Sequence, residues 1–150
     1  MRGFSLIEIL IVIAIFTVVA SVGVSPLLRF KKANDLSAAL ETGVSLLLEA
    51  RTKTLSSEGG SRYGVHFESA RITLFSGDAF AEGAAGNKAA PIPSSVEIQD
   101  ISLLGGGADV VWNRLTGETG AYGTVAFRLK SDTSKVRTLR IEKTGIISTE

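Results

Sequence analysis

The hydrophobic residues of this chain follow three successive patterns, and the first is an almost unbroken apolar run. Residues 4–24 contain a single charge, Glu8, and between positions 9 and 20 only Thr17 falls outside the hydrophobic class. As a helix that rises about 1.5 Å per residue, this run would extend about 31 Å, close to the hydrocarbon thickness of a bilayer. It therefore predicts a helix long enough to span a membrane.

The second pattern is a helical periodicity. Apolar residues recur at steps of three and four, which predicts one apolar stripe along an amphipathic helix. The stripe consists of Ala33, Leu36, Leu40, Val44, Leu47 and Leu48. Pro26 precedes it and either kinks one continuous helix or stands in the first turn of a second helix. We expect the stripe to pack on a globular head, and the turn-forming residues at 56–60 to end the helix.

The third pattern is a series of short strands. Segments rich in β-branched and aromatic residues alternate with clusters of Gly, Ser, Asp and Thr. The predicted strands are 62–67, 71–75, 96–104, 110–112, 124–129, 136–141 and 146–148. Residues 76–95 show neither periodicity and predict a long exposed loop. Together the patterns predict an α+β fold in which a long N-terminal helix packs on an antiparallel β-sheet head.

The composition excludes several classes of function. The 150 residues include no cysteine, which excludes disulfides and thiolate sites. Lys+Arg 16 nearly balance Asp+Glu 15, so the net charge is too small to attract nucleic acid by itself. The single histidine, His66, alternates with apolar neighbours, which predicts a side chain on the opposite strand face rather than a base or ligand. There is no nucleophile elbow or metal-ligand spacing, and Gly105-Gly106-Gly107 lacks the Lys-Ser/Thr of a phosphate loop. We expect a protein without catalytic activity, metal or cofactor.

Two features of the apolar run have alternative explanations. Arg2 followed by an apolar core is also typical of a cleaved signal peptide, although such cores are usually about 7 to 15 residues long and seldom contain an ionisable residue. Glu8 would be costly in lipid unless it is near the interface, protonated or paired. One explanation is a capping box, in which Ser5 and Glu8 bond free amides of the first helical turn. The other is a charge partner outside the run.

The first eight residues resemble a known processing signal. Their sequence, MRGFSLIE, followed by the apolar run, resembles the class III leader and N-terminal methylation motif of type IV pilins and of the pseudopilins of type II secretion systems. The resemblance implies that a prepilin peptidase cleaves between Gly3 and Phe4 and methylates the new amino terminus. Glu8 is then the fifth mature residue, which by resemblance neutralises the amino-terminal charge of an adjacent subunit during assembly.

The resemblance also implies the organisation and partners of the chain. Residues 1–3 are the leader, 4–25 the transmembrane and assembly helix, 26–58 the amphipathic helix continuing into the head, and 59–150 a periplasmic β-rich head. The protein is expected to cross the bacterial inner membrane once and then to enter a pilus or pseudopilus. Its implied partners are prepilin peptidase, other pilin or pseudopilin subunits, the inner-membrane assembly platform and the lipid bilayer. The positive-inside rule alone predicts the reverse orientation from Arg29, Lys31 and Lys32, which we interpret as interface anchors.

The C-terminal part carries a second resemblance. A strand that ends at Trp112, a turn at Gly117 and two strands that close on Gly145 are similar to the final strands of the minor pseudopilin family that includes GspH and FimT. In that family basic residues often follow the last glycine, whereas this chain ends on acidic Glu150.

Two functions are compatible with these patterns. In the first, the protein is a structural subunit at or near the tip of a pseudopilus or pilus, where it helps to initiate assembly or contacts exported cargo. In the second, it is a DNA- or surface-binding minor pilin of a competence or type IV pilus system. The binding residues would be the basic ones near the last strands: Lys130, Lys135, Arg137, Arg140 and Lys143. Because their alternation with apolar residues is also typical of a solvated strand face, the first function is favoured.

Overall fold

The computed structural model describes residues 4–150, except for the side chains of residues 20–29. The chain divides into two compact units, residues 1–34 and residues 35–150. One helix, α1 (Leu6–Leu55), contributes residues to both units. The predicted leader, residues 1–3, lies outside the described residues. At Pro26 the helix does not restart, because α1 runs through this position as one element.

The described part of the first unit presents apolar side chains to its surroundings. The exposed fraction of its large hydrophobic residues between positions 4 and 19 ranges from 47% at Val12 to 83% at Phe4. The Thr17 hydroxyl donates to the carbonyl oxygens of Ile13 and Ala14 at 3.0 and 2.8 Å. This polar side chain is therefore satisfied inside the helix and does not interrupt the apolar surface.

Among the residues that the structure describes, no helix is long and apolar enough to cross a membrane.

In the second unit, α1 buries one stripe of residues. The buried residues are Leu36, Ala39, Leu40, Gly43, Leu46, Leu47, Ala50 and Thr54. The predicted stripe is confirmed at Leu36, Leu40 and Leu47, whereas Val44 is half-buried. The prediction is wrong at Ala33 and Leu48, because both side chains are exposed.

Small residues explain why the stripe is rotated from its predicted position. Ala39, Gly43 and Ala50 lie at its centre, where their size lets the helix backbone approach the sheets. A Cβ atom added to Gly43 would contact side chains of Ile72, Phe127 and Leu139 at 3.5 Å. A pattern that counts only large hydrophobic residues therefore misses the centre of the buried face.

Eight strands follow α1 within residues 4–150, after a 3-10 turn at Glu58–Gly60. They are β1 (Tyr63–Phe67), β2 (Arg71–Ser76), β3 (Lys88–Pro91), β4 (Val96–Leu103), β5 (Asp109–Val111), β6 (Gly123–Leu129), β7 (Asp132–Ile141) and β8 (Ile147–Thr149). They form two four-stranded antiparallel sheets, in the orders β3-β2-β1-β5 and β4-β6-β7-β8. The predicted α+β fold is confirmed.

Seven of these strands match predicted segments, and β3 does not. β3 lies within 76–95, which was predicted as a loop, and it pairs Ala90 with Ile72 and Ala89 with Thr73 of β2. Its sequence, KAAP, has low strand propensity and ends on Pro91. It is the edge strand of its sheet, where a strand pairs through its backbone on one side only and proline is tolerated.

Arg51 connects α1 to two turns at the end of the second unit. Its Nε atom donates a hydrogen bond to the carbonyl oxygen of Gly117 at 3.1 Å. Gly117 and Gly145 both have left-handed backbones, with φ of 66° and 85°. A Cβ atom on Gly145 would overlap the Gly117 carbonyl and lie 2.7 Å from Arg51 Nε. The close approach of the two turns therefore requires glycine at position 145, whereas at position 117 the left-handed backbone is what favours glycine.

Replacing Gly145 by Ala is expected to destabilise the second unit more than the same change at Gly106. Both glycines have positive φ, so each alanine incurs a backbone cost of about 1 to 2 kcal/mol. Only Gly145→Ala adds an overlap, which costs about 1 to 3 kcal/mol more, because nothing lies within 4 Å of a Cβ at Gly106. Guanidinium unfolding followed by Trp112 fluorescence measures the difference. Equal losses in the two variants would contradict the contact with Arg51.

Candidate functional site

The first candidate feature is the carboxylate near the start of α1. Glu8 lies in the first turn, and the carbonyl oxygen of Ser5 accepts its amide hydrogen at 3.0 Å. The side chain of Glu8 is exposed, and among the described residues its carboxylate makes no hydrogen bond or ion pair. The reciprocal side-chain bonds of a capping box with Ser5 are therefore not formed there. The helix dipole favours a negative charge at this end, but the carboxylate keeps its bonding capacity for another molecule.

The single histidine is engaged in a structural contact. His66 is half-buried between buried Val65 and Phe67, which confirms that it faces away from the core. Its Nδ1 atom lies 2.5 Å from Asp109 Oδ1, and its ring stacks on Phe80 with centroids 4.0 Å apart. The amide of Phe80 donates to the second Asp109 oxygen at 3.2 Å. His66 thus fastens the segment after β2 onto the first sheet.

Two arginines hold the same segment. Arg62 Nε donates to Asp78 at 2.6 Å, and Arg71 bonds both Glu68 and Glu82. The hydrogen bond from Arg62 lowers the pKa of Asp78, and the bond from Arg71 lowers the pKa of Glu68. These ion pairs lie at the surface and are at most half-buried, so each contributes little to stability. Together with Phe80, however, they show that the predicted loop after β2 is braced against the first sheet.

The basic residues near the last strands do not share one surface. Lys130 lies in the turn before β7, Lys135, Arg137 and Arg140 lie on β7, and Lys143 lies in the following turn. All five are exposed, and within the described residues none forms an ion pair. Arg137 and Arg140 are three residues apart on a regular part of the strand, so their side chains leave opposite faces of the sheet. Arg137 lines a groove beside α1, whereas Arg140 and Lys143 line a cleft with Thr124.

One exposed residue had no counterpart in the sequence predictions. Leu115 is 94% exposed and has a φ of 73°, in a turn where Asn or Gly would adopt this conformation more readily. The sequence does contain one signal for this residue: Leu115 is an apolar residue directly before the turn-forming pair Thr116-Gly117.

Comparisons with known proteins agree with this architecture. Residues 1–24 match the family model described as the prokaryotic N-terminal methylation motif. The crystal structure of the type IV minor pilin FimU from Pseudomonas aeruginosa matches with a TM-score of 0.57 and 17% sequence identity, over 77% of this chain and 92% of that one. The chain thus carries this motif at its N-terminus and has a fold similar to that of the minor pilin. No curated protein matches the sequence significantly.

The two matches concern different parts of the chain. The motif match covers the segment with Phe4 and Glu8, together with Gly3, which lies outside the described residues. The structural match, at its low identity, concerns the fold: a long N-terminal helix with antiparallel sheets. Neither match concerns the basic residues near β7 individually.

Proposed function

We propose that this pilin-like protein is a structural subunit, a minor pilin or pseudopilin, that assembles through its N-terminal helix into a type IV pilus or a type II secretion pseudopilus. The observation that carries the proposal is the Glu8 carboxylate, which has no partner among the described residues and stands at the start of an exposed apolar helix. Moving an unpaired carboxylate from water into apolar surroundings has a large desolvation free energy. Assembly supplies the missing partner.

That partner is the amino terminus of a neighbouring subunit. Two opposite charges attract far more strongly in an apolar environment than in water. Each charge alone would be penalised there, so insertion of a subunit becomes coupled to meeting its neighbour. The exposed apolar side chains of the first unit would lie in lipid before assembly and against other N-terminal helices afterwards. The inner membrane and its assembly platform are accordingly the proposed setting.

We infer a structural rather than a catalytic role. Within the part of the chain that the structure describes, no three His, Asp or Glu side chains gather as a metal site would require. His66, the one histidine, is held by Asp109 and Phe80 on the first sheet. The protein would act by packing against other subunits, as in the minor pseudopilin family that the C-terminal strands resemble.

The alternative function, capture of DNA or a surface ligand, has weaker support. Arg137 and Arg140 leave opposite faces of β7, so the five basic residues do not combine into one patch. Phosphate binding strengthens with the number of cations on one surface. Cross-linking of assembled filaments, with identification of the neighbouring subunits, would distinguish a pilus from a pseudopilus and a tip from a shaft position.

The mature chain is expected to begin at Phe4 and to carry one methyl group on its amino terminus. A peptidase pocket that accepts glycine would reject a bulkier residue, so Gly3→Val should leave the leader uncleaved. Mass spectrometry of the native amino terminus measures both results. A parent chain that begins near Ser21 would instead indicate ordinary signal-peptide removal and would remove the main support for the proposal.

A further inference from the structure

The turn at 113–118 presents an apolar side chain in an unfavourable way. Leu115 combines 94% exposure with a left-handed backbone, and either feature alone opposes the choice of leucine for folding. Glycine or asparagine would relieve both costs. Leu55, 43% exposed at the end of α1, lies beside Gly117 of the same turn. This end of the second unit therefore exposes apolar surface that its own stability does not require.

The turn is held rigidly. The amide of Asn113 donates to the Glu118 carbonyl at 2.7 Å, and the amide of Gly117 donates to the Asn113 carbonyl at 3.0 Å. Arg51 fastens the turn to α1 through the Gly117 carbonyl. Because these bonds already order the backbone of the turn, binding through Leu115 would cost little further backbone freedom, which favours a role in recognition.

A free cation accompanies the exposed leucine. Arg114 makes no ion pair among the described residues, and it lines a cleft with Arg62 and Asp78. The Asp78 carboxylate is already bonded to Arg62 at 2.6 Å. A partner surface that binds this turn would therefore need an apolar groove for Leu115 and a nearby carboxylate for Arg114.

The same chain carries such a surface elsewhere. An open groove of about 480 Å³ runs beside α1. Its apolar lining comes from Leu40, Val44 and Leu48, and its polar lining includes Glu41, Ser37 and Ser45. Leu48 is 48% exposed, and Glu41 has no ion pair within the described residues. Arg137 lines the groove as well, but it does not form an ion pair with Glu41 there.

We propose that Leu115 of one copy enters the α1 groove of a second copy, and that Arg114 pairs with Glu41 of that copy. The two surfaces are different, so the contact is heterologous and can repeat from copy to copy, as in an open filament. This inference deepens the proposed function and rests on it, because it adds a contact between heads to assembly through the N-terminal helices.

Cysteine cross-linking tests the contact directly, because the chain contains no cysteine. Full-length Leu115→Cys and Leu48→Cys proteins, differently tagged and mixed in detergent, should form a mixed dimer on oxidation. Leu104→Cys replaces Leu115→Cys as the control, since Leu104 is also exposed, at 57%, in another turn. The expected yield is at least tenfold higher with Leu115→Cys. Equal yields, or no mixed dimer from thiols that both react with maleimide, would overturn the contact.

Charge reversal tests the proposed ion pair in the same assay. Arg114→Glu in the Leu115→Cys protein should lower the yield of mixed dimer at least tenfold, and Glu41→Arg in the Leu48→Cys protein should restore it. Failure of the double reversal to restore cross-linking would overturn the pairing. In cells, cross-linking of Leu115→Cys to a different protein alone would overturn the choice of a second copy.

The test separates this contact from the proposed function. Cleavage at Gly3 and recovery of the parent chain in sheared filaments are measured in the same cells. If both occur while the mixed dimer is absent, only the contact between heads is overturned. If the chain is neither cleaved at Gly3 nor recovered in sheared filaments, the proposed function itself is overturned.

Discussion

Replacing Glu8 by Gln is expected to block incorporation into filaments almost as completely as replacing it by Ala. Gln keeps a side chain able to complete a capping box with Ser5 but removes the charge. An uncompensated partner charge in apolar surroundings costs about 3 to 5 kcal/mol, which corresponds to a loss of incorporation of about 100-fold or more. A lost helix cap costs about 1 kcal/mol. The charge therefore dominates if it pairs with a neighbouring amino terminus.

Shearing of filaments followed by immunoblotting measures incorporation of the parent and of both variants. Cleavage between Gly3 and Phe4 and insertion into the membrane serve as controls and should continue in both variants. Their persistence would show that the defect arises at assembly. Parental levels of the Glu8→Gln protein in the sheared fraction would refute the charge pair and favour the capping role.

Replacing Leu47 by Ala is expected to lower the free energy of unfolding of the second unit by about 2 to 5 kcal/mol. Leu47 is 0% exposed on the buried stripe of α1, so the change removes apolar contacts and leaves a cavity. The matched control is the next residue. Leu48 is 48% exposed, and Leu48→Ala should change stability by no more than about 0.5 kcal/mol.

Fluorescence reports the unfolding of both variants. Trp112 is the only tryptophan in the chain and is 0% exposed, so its emission should change when the core opens to guanidinium. Losses of similar size at the two positions would mean that the buried face of α1 includes Leu48, as the periodicity alone predicted. A small loss at Leu47 would contradict the packing of α1 on the sheets.

Local patterns predicted the fold well wherever the sequence itself limits the conformation. Periodicity predicted the amphipathic helix, and segments rich in β-branched and aromatic residues between turn residues predicted seven of the eight strands seen in residues 4–150. The position of the His66 side chain on the outer face of its strand was also predicted, because its neighbours Val65 and Phe67 are apolar and lie on the inner face. Prediction failed at β3, because an edge strand of Lys, Ala and Pro is held by backbone pairing with β2 rather than by its own propensity.

Some features of the candidate site could likewise be predicted from the sequence, and others depend on the fold. The segment from Gly3 to Glu8 could be matched to the N-terminal methylation motif from the sequence, because a linear motif depends on residue order and not on folding. The five basic residues near β7 could not be assigned to one surface, since the side on which Arg137 or Arg140 emerges depends on strand register. The groove beside Leu48 also arises only when α1 meets the end of the second sheet.

The sequence by itself determined the apolar run, its single charge at Glu8 and the alternating strands, because each depends on residue type and spacing within a short segment. Tertiary structure decided which helix face is buried and which residues meet at the end of the second unit. Leu47 is buried and Leu48 exposed because Gly43 lets the helix approach the sheets on one side. Gly145 and Arg51 come together because distant turns close on the end of α1, and no local pattern encodes a contact between residues so far apart in the chain.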